Sequence, residues 1–164
     1  MFRHLTIAAS VASLALVHPV LAQGATATVH QLTADAANAM VMAAMEQCRK
    51  DGYKVAVAIV DRSGAMQAFV RDNGTGPQTQ ETARRKAFTS AAFGIASAEF
   101  ATRMANPAAA GLKDVTGVIA LGGGVPIKID NEVIGGIGVG GAPGADKDEA
   151  CANAGLQKVA DQSK

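Results

Sequence analysis

Two short segments rich in β-branched residues, close together in the last third of the chain, constrain its fold most strongly. Residues 125–130 and 132–139 are predicted to be β-strands. They meet at Asp130 and Asn131, residue types that tolerate the left-handed backbone of a tight hairpin turn. A glycine-rich turn at residues 140–144 leads into a final helix that begins with acidic side chains, which suit the positive end of the helix dipole. The segment therefore predicts an antiparallel hairpin followed directly by a helix.

The rest of the chain supplies a second hairpin and further helices. Apolar residues recur at helical spacing between Thr33 and Lys50, and Thr33 is suited to cap that helix. Residues 55–61 and 65–71 predict two strands around a short turn. Because such short turns cannot make a parallel crossover, the sheet is predicted to be antiparallel. These patterns predict an α+β domain with five strands and the order α-β-β-α-α-β-β-β-α, whose remaining elements are helices at 77–93 and 97–106 and a strand at 118–121.

Several of these stretches carry a family resemblance. The motifs GGxPI, IGxIGVxGAPxxD and CAxAG follow one another between residues 123 and 155, and VAVAIVDRSGAMQAFVRDNG and GPQTQETARRKAFTSAAF precede them. In these motifs the chain resembles the GlcG/HbpS-like haem-binding family, and it is also similar to the C-terminal domain of PduO-type corrinoid adenosyltransferases. The resemblance extends from Leu32 through most of the chain and implies a profilin-like fold. Members bind haem outside the cytoplasm or are encoded beside glycolate-utilisation or corrinoid enzymes, so function is implied less narrowly than fold.

The first residues have the three parts of a secretory leader. Arg3 precedes an apolar run at residues 5–17, and in Val20-Leu21-Ala22 small residues lie at the two positions that a signal peptidase reads, which predicts cleavage after Ala22. The alternative, a transmembrane anchor, needs about 20 apolar residues, and this run is shorter. We therefore expect residues 1–22 to be a signal peptide and residues 23–164 to be a single periplasmic or secreted domain.

Charge and histidine content exclude several classes of function. The 15 Lys and Arg residues nearly balance the 14 Asp and Glu residues, so nothing attracts the chain to nucleic acid or to a membrane surface. Loss of the leader removes His4 and His18 and leaves His30 as the one imidazole. A zinc site needs three or four His, Cys or carboxylate ligands, and one His with two widely separated Cys does not supply the usual set. A Ser-His-Asp triad would have to use His30, which lies near the N-terminus of the mature chain. We therefore expect ligand binding rather than catalysis.

Gly136, Gly138 and Gly141 satisfy the G-x-G-x-x-G pattern of dinucleotide sites. That pattern also requires a following strand with an acidic residue about 20 residues on, and here the chain ends with the helix. The glycines are instead predicted to let a strand and a helix approach closely.

Cys48 and Cys151 lie on the first and last predicted helices. In an oxidising compartment they could form a disulfide if the two helices pack on the same face of the sheet. Free cysteine is also a common small core residue, so the sequence leaves both states open.

Thr82, Lys86, Thr89 and Phe93 form one stripe of the central helix. Such a stripe is often only the solvated edge of an amphipathic helix. The family resemblance at KAxT implies that Thr89 contacts haem or its iron, and Lys86 could pair with a propionate.

A threonine hydroxyl is a weak ligand, because haem iron is usually held by His, Cys, Met or Tyr. His30 is therefore the candidate second iron ligand. The other candidates are Met40, Met104 and Tyr53, although methionine at helical spacing is more often core filler.

The resulting hypothesis is an exported homo-oligomeric protein that binds haem for scavenging, storage or sensing, with no nucleic-acid partner and no membrane insertion after cleavage. The alternative is an enzyme or accessory protein of 2-hydroxy-acid (glycolate) or corrinoid metabolism that holds a carboxylate. Its ligand would bind Lys86, Arg84 or Arg85 together with the glycine-rich turn at residues 140–144, which includes Gly141 and Gly144, through charge-assisted hydrogen bonds. A purely structural assembly subunit is a third possibility.

Overall fold

A computed structural model describes residues 27–160, so the predicted leader at residues 1–22 lies outside the described residues. The chain forms four α-helices, one 3₁₀-helix and four β-strands within this range, which fits the predicted α+β class. In chain order the elements are α1 (Ala34–Lys50), β1 (Ala56–Asp61), β2 (Met66–Arg71), α2 (Gln78–Phe93), α3 (Ser97–Arg103), a 3₁₀-helix (Ala110–Asp114), β3 (Gly124–Ile129), β4 (Glu132–Gly140) and α4 (Ala145–Ala160).

The four strands form one antiparallel sheet in the order β2-β1-β4-β3. Both predicted hairpins are present, β1–β2 and β3–β4. The turn of the second hairpin contains Asp130, whose φ of 52° lies in the left-handed region. The predicted turn chemistry at Asp130 is therefore confirmed.

The prediction of a five-stranded sheet, and with it the predicted element order, is wrong. Residues 118–121 do not form a strand. Their backbone groups bond instead to side chains of α2: the Ile119 N–H donates to the hydroxyl of Thr89, and Arg85 donates to the Val118 carbonyl. This segment therefore lies against the helix, and β3 is left as an edge of a four-stranded sheet.

Helices cover both faces of the sheet. Side chains alternate along β1, so Val57 and Ile59 join the core shared with α1 and α4. On the opposite face, Ala58 and Val60 pack against small side chains of α2. The larger core lies on the α1/α4 side, and a tighter alanine-rich layer lies beneath α2.

The close approach of α2 to the sheet depends on two glycines of β4. A Cβ atom on Gly138 would overlap the carbonyl oxygen of Ala83, and one on Gly136 would overlap that of Ala87. These contacts explain why the strand contains glycines without a dinucleotide site.

Helices α1 and α4 are held together by a covalent bond and by close packing. Thr33 caps α1 as predicted, since its hydroxyl accepts a hydrogen bond from the Ala36 N–H at 3.2 Å. Cys48 and Cys151 form a disulfide with their Cα atoms 5.5 Å apart, so of the two predicted states the structure contains the bonded one. One turn further along α4, a Cβ on Gly155 would lie 2.8 Å from the carbonyl oxygen of Met40 in α1. The two helices therefore form a fixed antiparallel unit.

Candidate functional site

Lys86 and Asp148 form a buried ion pair between α2 and α4. The Lys86 ammonium donates to Asp148 Oδ2 at 2.7 Å and to the Val139 carbonyl at 2.9 Å. Asp148 Oδ1 also accepts a hydrogen bond from the Ala142 N–H at 3.0 Å. Burial raises the pKa of the Asp148 carboxyl, and the bonds from Lys86 and the backbone act in the opposite direction. Lys86 is only 5% exposed, so its charge is already neutralised inside the protein.

Thr89 is also enclosed. Its hydroxyl donates to the Arg85 carbonyl at 2.8 Å and accepts from the Ile119 N–H at 2.9 Å, and the residue has no exposed surface. The hydroxyl thus holds residues 118–121 against α2. Contact between haem and Thr89 or Lys86 stays a prediction, and it would require these side chains to give up the partners that they have here.

The two arginines of the alternative carboxylate site are not joined to its glycine-rich turn in the described part of the chain. Arg84 makes two hydrogen bonds to Glu81, at 2.7 and 3.1 Å, and Arg85 reaches Val118. In the turn that contains Gly141 and Gly144, an amide is already bonded to the carboxylate of α4. The turn therefore binds a carboxylate of its own chain, and neither arginine is its hydrogen-bonding partner among residues 27–160.

A largely apolar groove, which we call the N-terminal groove, lies between the start of α1, strand β3 and the end of α4. Its volume is about 450 Å³, within the roughly 300–1,000 Å³ typical of small-molecule pockets. Lys128 is the only charged residue that lines it among the described residues, and it forms no ion pair there. The apolar side chains that line the groove are Leu32, Ala36, Met40, Pro126, Ile127, Ile129, Ile134, Leu156, Val159 and Ala160.

A histidine and a carboxylate lie next to residues that line this groove. His30 Nδ1 is 2.7 Å from Glu132 Oε2, and Arg62 donates to the other oxygen of Glu132 at 2.7 Å. His30 directly precedes Gln31, the first residue of the groove, while Glu132 pairs with the groove residue Ile129 in the β3–β4 register. The hydrogen bond with His30 is the main cause that holds the pKa of Glu132 below its ordinary value; burial opposes it, and Arg62 adds a smaller lowering effect. The carboxylate therefore stays ionised beside the imidazole.

His30 and Thr89, the two predicted iron ligands, are not brought together: His30 bonds to Glu132, and Thr89 bonds to backbone groups of Arg85 and Ile119. His30 was identified from the sequence, but Glu132, Arg62, Lys128 and the groove were not. The charged Lys128 between two isoleucines of β3 was the one local signal that could have indicated a polar residue here. The groove itself is formed by three elements far apart in sequence, so no local pattern marks it.

Residues 27–160 contain no cluster of three or more His, Cys, Asp or Glu side chains that could bind a metal ion directly. No helix in this range is long and apolar enough to cross a membrane.

Comparison with known proteins extends these observations. Residues 32–157 match a family described as "Haem degrading protein HbpS-like". The structure is similar to the crystal structure of HbpS, with a TM-score of 0.78 and 42% sequence identity over 82% of this chain and 94% of that one. It is also similar to a crystal structure of a PduOC:heme complex, with a TM-score of 0.72 and 26% identity over 79% of this chain and 95% of that one. Protein GlcG of Escherichia coli is 30% identical over 108 residues, which are 66% of this chain and 80% of GlcG.

Proposed function

The chain belongs to the HbpS-like family, and on this basis we propose that it binds haem in the N-terminal groove, with His30 as an iron ligand. A similar structure is that of a PduOC:heme complex, which supports haem as the ligand. The single observation that carries the choice of site is that His30 and Glu132 contact each other and directly neighbour the groove residues Gln31 and Ile129.

The groove suits the macrocycle of haem. A porphyrin is a flat, mostly apolar ring, and burying its faces against aliphatic side chains is favourable by about 25 cal/mol for each Å² of apolar surface removed from water. Leu32 supplies such a side chain from the segment before α1, Ile127 from β3 and Leu156 from α4. Lys128 adds an ammonium group to this lining, and it could form a charge-assisted bond with a propionate.

The imidazole of His30 suits the iron. Histidine is among the usual protein ligands of haem iron, whereas a threonine hydroxyl is not. With Nδ1 bonded to Glu132, the remaining nitrogen, Nε2, has no hydrogen-bonding partner in the described part of the chain. In the neutral tautomer that donates from Nδ1, Nε2 carries the lone pair that a metal needs. Bound haem would supply redox-active iron, and the protein would supply the ligand nitrogen, the apolar walls and a cation.

A haem titration followed by the Soret band tests this proposal. The parent protein is expected to bind near-stoichiometric haem with a shifted Soret band. His30→Ala is expected to lose roughly 10- to 100-fold in affinity, because a metal–nitrogen bond is worth at least as much as the ~1.5–3 kcal/mol of a charge-assisted hydrogen bond. Its melting temperature should change little, since the side chain is largely exposed.

Thr89→Val is the matched variant for the site predicted on α2. It keeps the side-chain shape but leaves the partly buried Ile119 N–H without its acceptor, so it should lower the free energy of unfolding by about 1–3 kcal/mol. It should also retain the parent Soret position. If His30→Ala instead binds haem like the parent while Thr89→Val loses the spectrum, the ligand lies at α2 and the groove is the wrong site.

The location that we propose is outside the cytoplasm, where the protein would scavenge or store haem. The leader pattern of residues 1–22 supports this location, and so does the Cys48–Cys151 disulfide, because disulfides persist mainly in oxidising compartments.

We propose in addition that copies of the chain assemble. The exposed Met66 and Phe69 on the edge strand β2 support this, since an exposed apolar strand edge favours pairing with another chain.

Intact mass spectrometry of the protein recovered from the periplasm or culture medium tests both statements. Under denaturing conditions the mass is expected to correspond to a chain that begins at Gln23. Under native conditions a multiple of that mass is expected. An uncleaved Met1 would contradict export through the leader, and a native monomer at micromolar concentration would contradict assembly.

A further inference from the structure

Arg62, Glu132 and His30, beside the groove, form a chain of contacts. Arg62 lies in the β1–β2 turn and donates to Glu132 Oε1, while the second oxygen of Glu132 meets His30 Nδ1, each at 2.7 Å. Glu132 is the first residue of β4 and is anchored in the sheet by its pairing with Ile129. A carboxylate fixed from two sides therefore contacts the nitrogen of His30 that is not proposed to bind iron.

We propose that Glu132, held by Arg62, is the positioning residue of the haem ligand: it fixes the tautomer and ring orientation of His30 and strengthens Nε2 as a donor to iron. This inference rests on the proposed function, because it concerns the same site. Metal-binding histidines commonly donate their other N–H to a carboxylate, which sets the tautomer and raises the basicity of the ligand nitrogen.

Stability offers a weaker explanation for the same contacts. The side chains of Arg62 and His30 are 44% and 61% exposed, and ion pairs between exposed groups contribute little to folding. The cluster also joins three places that are far apart in the sequence: the segment before α1, the β1–β2 turn and the start of β4. Orientation of His30 by Glu132, in contrast, depends on both the charge and the position of the Glu132 carboxylate.

Variants of Glu132 separate charge from hydrogen bonding. Glu132→Gln keeps an acceptor for the Nδ1–H but removes the charge, Glu132→Ala removes both, and Glu132→Asp restores a carboxylate. Haem affinity is expected to fall about 10- to 100-fold in Glu132→Ala, the usual effect of removing such a partner. The haem reduction potential should become more positive in Glu132→Gln and Glu132→Ala, because a less basic imidazole stabilises ferric iron less. Glu132→Asp should recover part of both properties.

A second readout needs no haem. In the ligand-free protein, ¹⁵N NMR of the imidazole, assigned with His30→Ala, should show the neutral tautomer with its proton on Nδ1. Glu132→Ala should move the proton toward Nε2. Glu99→Gln is the matched control, because it removes a carboxylate from the exposed Glu99–Arg103 pair on α3 and should change neither the tautomer nor the potential.

The outcomes distinguish the two proposals. If His30→Ala weakens haem binding while Glu132→Gln and Glu132→Ala retain the parent affinity, potential and tautomer, the positioning role is wrong and the ligand assignment stands. If His30→Ala binds haem like the parent, the ligand assignment fails and the positioning role fails with it.

Discussion

Replacing both Cys48 and Cys151 by alanine is expected to lower the free energy of unfolding by about 2–5 kcal/mol. The two residues are 103 positions apart, so the disulfide closes most of the domain into one loop. A cross-link of about 100 residues restricts the unfolded chain by up to ~4.7 kcal/mol in the chain-entropy model. Both side chains are fully buried, and alanine fills less of the space that they occupy, which adds a smaller packing loss.

Urea unfolding at equilibrium measures this effect. The parent protein, unfolded and kept in reductant throughout, is the control that removes the bond without changing the sequence. The alanine variant and the reduced parent are both expected to unfold at lower urea concentration than the oxidised parent. Equal midpoints for all three would show that the bond contributes nothing to stability.

The same substitution should also weaken haem binding, because α1 and α4 form two walls of the N-terminal groove. With the disulfide absent, the close contact near Gly155 still holds the helices together, so we expect a smaller effect on haem affinity than on unfolding. The disulfide therefore links the stability of the fold to the shape of the proposed site.

Those parts of the fold that depend on neighbouring residues could be predicted from the sequence. Asp130 adopts the left-handed turn because its residue type permits it, and Thr33 caps α1 through an amide three residues away. The fifth strand could not be excluded in this way. Residues 118–121 look like a strand, but their hydrogen-bonding partners are Arg85 and Thr89, about 30 positions earlier on a helix.

The candidate site could likewise be predicted only in part. Composition alone identifies His30, because it is the one histidine left after the predicted leader is removed. The polar stripe of α2 predicts a solvated helix edge or a haem contact, whereas the structure buries Lys86 in an ion pair with Asp148, 62 positions away. Glu132 lies 102 positions from His30, and only the folded sheet brings the two together. Long-range pairing of this kind leaves no periodic trace in the sequence.

Lys86→Met is expected to lower the free energy of unfolding by about 3–5 kcal/mol at neutral pH, because breaking a buried ion pair leaves an uncompensated charge. Methionine approximates the length of lysine, so little packing is lost. The carboxylate of Asp148 remains 3% exposed and keeps only its bond from the Ala142 N–H among the bonds described above. The exposed pair Lys113–Asp114 supplies the control: Lys113→Met should change stability by less than about 1 kcal/mol.

The loss in Lys86→Met should depend on pH in a defined direction. Burial raises the pKa of Asp148, and removing Lys86 takes away the main opposing interaction, so the folded pKa lies further above the unfolded value of about 3.9. Between these two values the folded state binds more protons than the unfolded state, and the free energy of unfolding falls as pH rises. The variant should therefore be least impaired in mild acid and most impaired above the folded pKa.

Lys86→Met combined with Asp148→Asn tests this explanation directly. Asparagine keeps an oxygen for the Ala142 N–H but carries no charge and does not titrate. The double variant should be more stable than Lys86→Met at neutral pH, and the difference between them should shrink in acid, where Asp148 is protonated. Urea unfolding across the pH range would detect both trends. Equal stability of the two variants at every pH would mean that the charge of Asp148 does not cause the loss, and that the Lys86 side chain acts through packing alone.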